Sequence, residues 1–139
     1  MAHAGQELTN ARTGERIAFV RTAADTGGEL VEMEATWTLA GRRTAPHVHP
    51  EAEERWEVLA GRARFRVGER EHEAGPGEVV VAAPGTPHEA WNPGPGEARV
   101  LIQLRPALRW EQFVERLFAG DPPAELLREF SREVRPVAG

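Results

Sequence analysis

Glycine- and proline-bearing turns recur at intervals of roughly ten residues along the middle of this chain, which is the punctuation of short strands. They fall at Gly27-Gly28, Gly41, Gly61, "EAGPG" (residues 73–77), Pro84-Gly85 and "PGPG" (residues 93–96). Such spacing leaves room for strands of four to eight residues but not for helices of several turns. The intervening runs, "RIAFVRT", "ELVEMEATWTL", "RWEVLA", "RARFRV", "EVVVAA", "TPHEAWN" and "EARVLIQLR", have strand character. In the second of them Val31, Met33, Ala35, Trp37 and Leu39 alternate with Leu30, Glu32, Glu34, Thr36 and Thr38. A period of two with one apolar face is that of a half-buried strand. No helix-length crossover intervenes to support a parallel sheet, so an all-β fold, a small antiparallel β-barrel, is expected.

Past Pro106 the period changes. Trp110, Phe113, Val114, Leu117 and Phe118 share one helical face, and Gly120 ends that helix. Asp121 is the expected N-cap of a second helix with Pro122 at its first position, and Leu126, Leu127, Phe130 and Val134 form its apolar stripe. Residues 1–106 are therefore read as a β-barrel domain. Residues 107–139 are read as a helical extension with two short α-helices, packed on the barrel or on a dimer partner.

Composition narrows the functions. A formal charge of -5 over 139 residues argues against nucleic acid as a partner, because phosphate recognition needs a clustered basic face. The row Arg62, Arg64, Arg66 alternates with Ala63, Phe65 and Val67 and reads as the solvent face of a strand. With no cysteine, disulfides and thiolate ligands are excluded, so any metal binds through nitrogen and oxygen. Neither a signal peptide nor an apolar run of membrane-spanning length is found, so no membrane partner and a cytoplasmic location are expected.

The chemistry concentrates in "PHVHPEAEERWEVLAG" (residues 46–61). His47 and His49 lie two apart, which on an extended strand puts both imidazoles on one face. Glu54 shares parity with Trp56 and Val58, whereas Glu53 is offset by one; Glu51, Glu53 and Glu57 read as bystanders. His88 opens another strand beyond the Pro84-Gly85 bend and can meet the first pair across a barrel interior. Three imidazoles and a carboxylate suit one divalent transition metal such as Fe, Mn, Ni, Zn or Cu.

With these residues in place the chain resembles a single-domain cupin of jelly-roll type. The first cupin motif, G-x5-H-x-H-x(3,4)-E-x6-G, is met by Gly41, His47, His49, Glu54 and Gly61. The second, G-x5-P-x-G-x2-H-x3-N, is met by Gly77, Gly85, His88 and Asn92, with Ala83 where proline is expected and Pro84 next to it. The resemblance implies that His47, His49, Glu54 and His88 bind one metal in the barrel mouth. Asn92 is read as a strand-end or turn residue rather than a ligand, and His3 and His72 as solvent-facing. Trp56 is the expected pocket wall, while Trp91, out of phase with His88, is expected to have a different fate.

A four-ligand site leaves positions open, so catalysis with Glu54 as general base is the leading expectation. Cupins with this ligand set include dioxygenases acting on enolisable or catecholic substrates, so a dioxygenase-like enzyme on a small organic molecule is expected. The alternatives are a non-catalytic binding cupin and a metal-dependent isomerase or cyclase. No further acid, base or nucleophile is placed in the pocket. A homodimer is expected, because small barrels with appended amphipathic helices can exchange edges and bury apolar stripes. Light scattering at micromolar concentration checks it, with twice the chain mass as the expected outcome.

Overall fold

The computed structural model describes residues 2–41 and 45–137. The chain forms β1 (Glu7–Thr9), β2 (Arg16–Arg21), α1 (Ala23–Thr26), β3 (Val31–Trp37), β4 (His47–Val48), β5 (Glu53–Ala60) and β6 (Ala63–Val67). It continues through β7 (Arg70–Ala74), β8 (Val79–Ala82), β9 (His88–Trp91), β10 (Ala98–Arg105), α2 (Trp110–Phe118), α3 (Pro123–Glu129) and β11 (Arg135–Pro136). The strands assemble into a six-stranded sheet, β1-β2-β3-β10-β5-β8, and a five-stranded sheet, β11-β4-β9-β6-β7. Every pairing between these strands is antiparallel.

The expected antiparallel all-β fold of jelly-roll type with short C-terminal helices is found, and its strands form two facing sheets that do not close into a barrel. Closure would require the edge strands to pair across the gap, and among the described residues they do not. Large side chains between the sheets, such as Trp56 and Phe65 with ring centroids 5.2 Å apart, hold them at packing distance rather than at the ~4.8 Å that hydrogen-bonded strands require. Parity carries the core: Val31, Met33 and Ala35 of β3, Glu54, Trp56 and Val58 of β5, and Ala63 and Phe65 of β6 are buried. Phe113, Val114, Leu126, Phe130 and Val134 belong to the same apolar cluster, so the C-terminal segment shares one core with the sheets.

Three short strands and one helix lie outside the sequence reading. In β7 only Ala74 is buried, so no apolar alternation marks it; its Glu71 and Glu73 instead face the arginine row, with Arg64 3.2 Å from Glu71 and Arg62 paired to Glu73. The "AADTGG" connection is not only a turn: Thr22 and Asp25 close a reciprocal capping box over α1 before Gly27 and Gly28 reverse the chain at φ 64 and 84. Asp121 does not cap α3. Its carboxylate accepts from Arg116 Nε at 2.9 Å, and the helix starts after Pro122. Among the described residues no helix is long and apolar enough to cross a membrane.

Gly61 turns the chain between β5 and β6 at φ 72, and a Cβ there would run into the Glu97 carbonyl oxygen. At Gly68, φ 61, a Cβ would meet nothing within 4 Å. Gly68→Ala is therefore expected to cost about 1 kcal/mol for the left-handed backbone alone, and Gly61→Ala about 3 kcal/mol or more. Urea denaturation of the two variants checks the difference.

Candidate metal centre

The two-residue strand β4 is held between β9 and β11: His47 pairs with His88 on one side and with Pro136 on the other. Across this junction the His47 and His88 rings stand 4.6 Å apart, and the His49 ring lies 5.2 Å from His47 and 5.0 Å from His88. Glu54 reaches them from β5 in the opposite sheet, where it is buried while its neighbours Glu53 and Arg55 are only partly so. Each of His47, His49, Glu54 and His88 offers a ligand atom within 4.8 Å of the others. The bend ahead of His88 needs no proline at 83: Pro84 and Gly85 (φ 78) form the centre of a turn closed by Thr86 N–H donating to the Ala83 carbonyl at 3.1 Å. Gly85 N–H then donates to the His49 carbonyl at 2.9 Å, tying the second motif to the first.

All three imidazoles are oriented in the same way. His47 Nδ1 lies 2.8 Å from the Ala45 carbonyl, His49 Nδ1 2.8 Å from the Glu133 carbonyl and His88 Nδ1 2.9 Å from the Thr86 carbonyl. A carbonyl only accepts, so each Nδ1 carries the proton and each neutral ring is left with an acceptor at Nε2. His49 Nε2 and His88 Nε2 nevertheless approach the same oxygen, Glu54 Oε1, at 2.8 and 3.0 Å. Acceptors converging on acceptors need a cation between them, either a proton or a metal. This donor set fits a divalent transition metal, with His47, His49, Glu54 and His88 as the residues that would hold it.

The electrostatics follow from that geometry. Burial, reinforced by His88, pushes the His47 imidazole down to about 4, which keeps it neutral. Burial also opposes charge on His49, but the Glu54 carboxylate beside it wins and moves its pKa above the ordinary value. Glu54 is subject to burial in the opposite sense, yet His49 and His88 together hold it well below the usual carboxylate range.

Above the cluster lies a cavity of about 400 Å³. Its wall includes all four tryptophans of the chain, Trp37, Trp56, Trp91 and Trp110. Trp56 stands edge-to-face with His88 at 5.2 Å, and Trp110 edge-to-face with His49 at 5.0 Å. Trp91 lines the cavity despite its phase, because β9 is covered on both faces: His88, Glu89 and Trp91 are all buried and parity no longer separates inside from outside. Asn92 serves the turn, its amide donating to the Trp37 and Gly96 carbonyls at 2.9 and 2.8 Å. His3 and His72 are exposed as expected, His72 on β7.

A family model for the cupin domain matches residues 35–103. The chain belongs to the cupin family. Among solved structures this cupin is similar in fold to KdgF from Halomonas sp., with 18% identity over 75% of this chain and 91% of that one and a TM-score of 0.65. It is similar also to a predicted oxalate decarboxylase from Thermotoga maritima, with 16% identity, 73% and 91% coverage and a TM-score of 0.64. The DMSP lyase DddQ from Ruegeria pomeroyi is 30% identical over 58% of this cupin and 40% of its own length, with a TM-score of 0.51. A search of curated proteins finds no match.

One cavity residue escapes the sequence reading. Glu15 lines the cavity, and its Oε2 accepts from Trp37 Nε1 at 2.8 Å. The signal was present one residue upstream of the first strand reading: Glu15 is in phase with Ile17 and Phe19, both buried in the core. A carboxyl group in register with an inward apolar face is a candidate for the interior.

Since His49 in the metal-free protein is held toward its protonated form by Glu54, a metal must displace a proton to bind. Affinity for Zn(II) or Fe(II) is therefore expected to rise with pH until His49 is neutral and to fall about tenfold per pH unit below that point. Calorimetric titration in buffers of different ionisation enthalpy checks this by the protons released per metal bound.

Proposed function

We propose that this cupin is a metal-dependent enzyme, a dioxygenase-like oxidoreductase acting on a small enolisable or aromatic molecule. The observation that carries the reading is the position of the His47–His49–Glu54–His88 cluster, opening onto a cavity walled by four indoles. Flat apolar walls favour a ring or a conjugated enol over a strongly hydrated substrate, because the ligand then exchanges hydration for aromatic contact. The names carried by the similar structures span a decarboxylase and a lyase, so the reaction class rests on the cavity and the ligand set rather than on fold likeness.

Held by His47, His49, Glu54 and His88, a redox-active divalent metal would supply Lewis acidity toward a chelating oxygen and the electrons for chemistry with dioxygen. The protein's own residues do the rest. Trp56, packed edge-on to His88, forms the pocket wall and orients the ring. Glu54 is kept ionised by His49 and His88, so it carries no proton when an enol or phenol enters; those two contacts also weaken it as a base, and its role as proton acceptor requires that the imidazoles turn from it to the metal. Trp110 and Phe113, stacked at 4.9 Å, cover the cavity from α2 and limit access of water.

Anaerobic loading with Fe(II), followed by oxygen and a panel of diketones, flavonols and catechols, is expected to show oxygen uptake that needs both metal and substrate. Glu54→Gln is expected to lower turnover by roughly a hundredfold, in the range for loss of a general base. Ligand-induced thermal shifts without oxygen uptake would instead assign the cavity to binding alone, and Glu54→Gln with unchanged metal content and turnover would remove Glu54 from the mechanism.

A further inference from the structure

The metal cluster occupies one part of the cavity wall, and Glu15, with Thr13 and Thr38, brings polar groups to a second part of a mostly aromatic and aliphatic lining. The backbone around Glu15 is tied on both sides. Its N–H donates to Thr13 Oγ1 at 3.1 Å, and its carbonyl accepts from Asn10 N–H at 2.8 Å. Gly14 lies against β3's continuation so closely that a Cβ would meet Thr38 Oγ1 at 3.0 Å. The carboxyl group is thus carried on a fixed turn and held by Trp37 Nε1 through one oxygen. That bond engages one of the two carboxyl oxygens, and the residue lines the cavity.

We infer that Glu15 is the second polar anchor of the ligand, recognising a hydroxyl group on an aromatic molecule whose chelating end lies at the His47–His49–Glu54–His88 cluster. The inference rests on the reading of this cavity as the ligand site, and not on oxygen chemistry. A hydroxyl is the matching group because it pairs with a carboxyl in either protonation state, accepting from the acid and donating to the anion. Burial drives the Glu15 carboxyl toward its neutral form, the Trp37 N–H opposes this and the charge of Glu54 adds to it. An added carboxylate on the ligand would face repulsion, whereas a hydroxyl suits both forms. A site that hydrogen-bonds a substrate hydroxyl discriminates strongly against an analogue lacking it, since its own polar group is then left dry and unpaired.

The test uses Zn(II)-loaded protein, which binds without oxygen turnover, and three matched pairs of probes. Hydroxymethyl-, hydroxyethyl- and hydroxypropyl-catechol are compared with ethyl-, propyl- and butyl-catechol, following quenching of the four tryptophans. At the spacing that reaches Glu15, the hydroxylated member is expected to bind about tenfold tighter than its alkyl partner. Glu15→Met is expected to reverse that preference, while Glu15→Gln, which can still accept from Trp37, keeps it. A wild-type protein with no preference at any spacing overturns the inference, and this comparison needs no variant to fold. Equal weakening of both members in Glu15→Met also overturns it, because that is the signature of a merely structural Glu15–Trp37 pair. Zinc content is measured in parallel. Protein that takes up no zinc yet keeps the hydroxyl preference supports the Glu15 role and sinks the metal reading; zinc uptake without preference does the reverse.

Discussion

A carboxylate buried beneath an aromatic cavity costs on the order of several kcal/mol unless its charge is answered, and Glu54 sets that requirement for the whole molecule. Two imidazoles from the other sheet meet the same oxygen. These two and His47 are in turn held by carbonyls from three separate places: the approach to β4, the turn before β9 and the segment after α3. The last of these is itself anchored, since Arg109 grips the buried Glu133 carboxylate through Nε and a terminal nitrogen at 3.2 and 3.1 Å and stacks over Phe130 at 4.5 Å. The C-terminal segment is part of the support of the cluster, supplying the His49 acceptor and the strand that flanks His47. Such outer partners fix tautomer and ring direction, which is what a metal site needs from its surroundings.

The same arrangement explains why a cavity persists at the centre of the fold. Two facing sheets, propped by aromatic side chains and covered at one end by α2 and α3, leave a volume that side chains do not fill. Indoles can line it at modest entropic cost because they are large and have only two side-chain torsions. Polar groups of the wall include the metal cluster and the Glu15–Trp37 pair, so a ligand held there would be oriented by where its own polar atoms lie.

Much of this was legible in order of residues. Alternation along β5 separated Glu54 from Glu53, because a period of two sends adjacent residues to opposite faces and that strand is covered on one face more than the other. The turn chemistry of Pro84-Gly85 placed His88 at a strand start whether or not residue 83 was proline. Where both faces are buried, as on β9, phase no longer separates inside from outside, and Trp91 lines the cavity against its phase. Strand β7 had no apolar alternation to reveal it, and β11 is two residues long and made only by pairing to β4. Glu15 was recoverable, since it continues the inward phase of Ile17 and Phe19, but a carboxyl group at a strand's edge reads as solvated unless that phase is followed.

Local order therefore decided the longer elements and the inward side of most strands, because turn chemistry and periodicity are short-range properties of the backbone, while the set of four converging side chains came from the motifs of the resemblance. Tertiary structure alone decided that the sheets face each other without closing, that a carbonyl from residue 133 orients His49, and that Glu15 and Trp37 meet at the cavity wall. These depend on contacts between segments tens of residues apart, where the packing of large side chains and the pairing of buried polar atoms act jointly and leave no periodic trace in the chain.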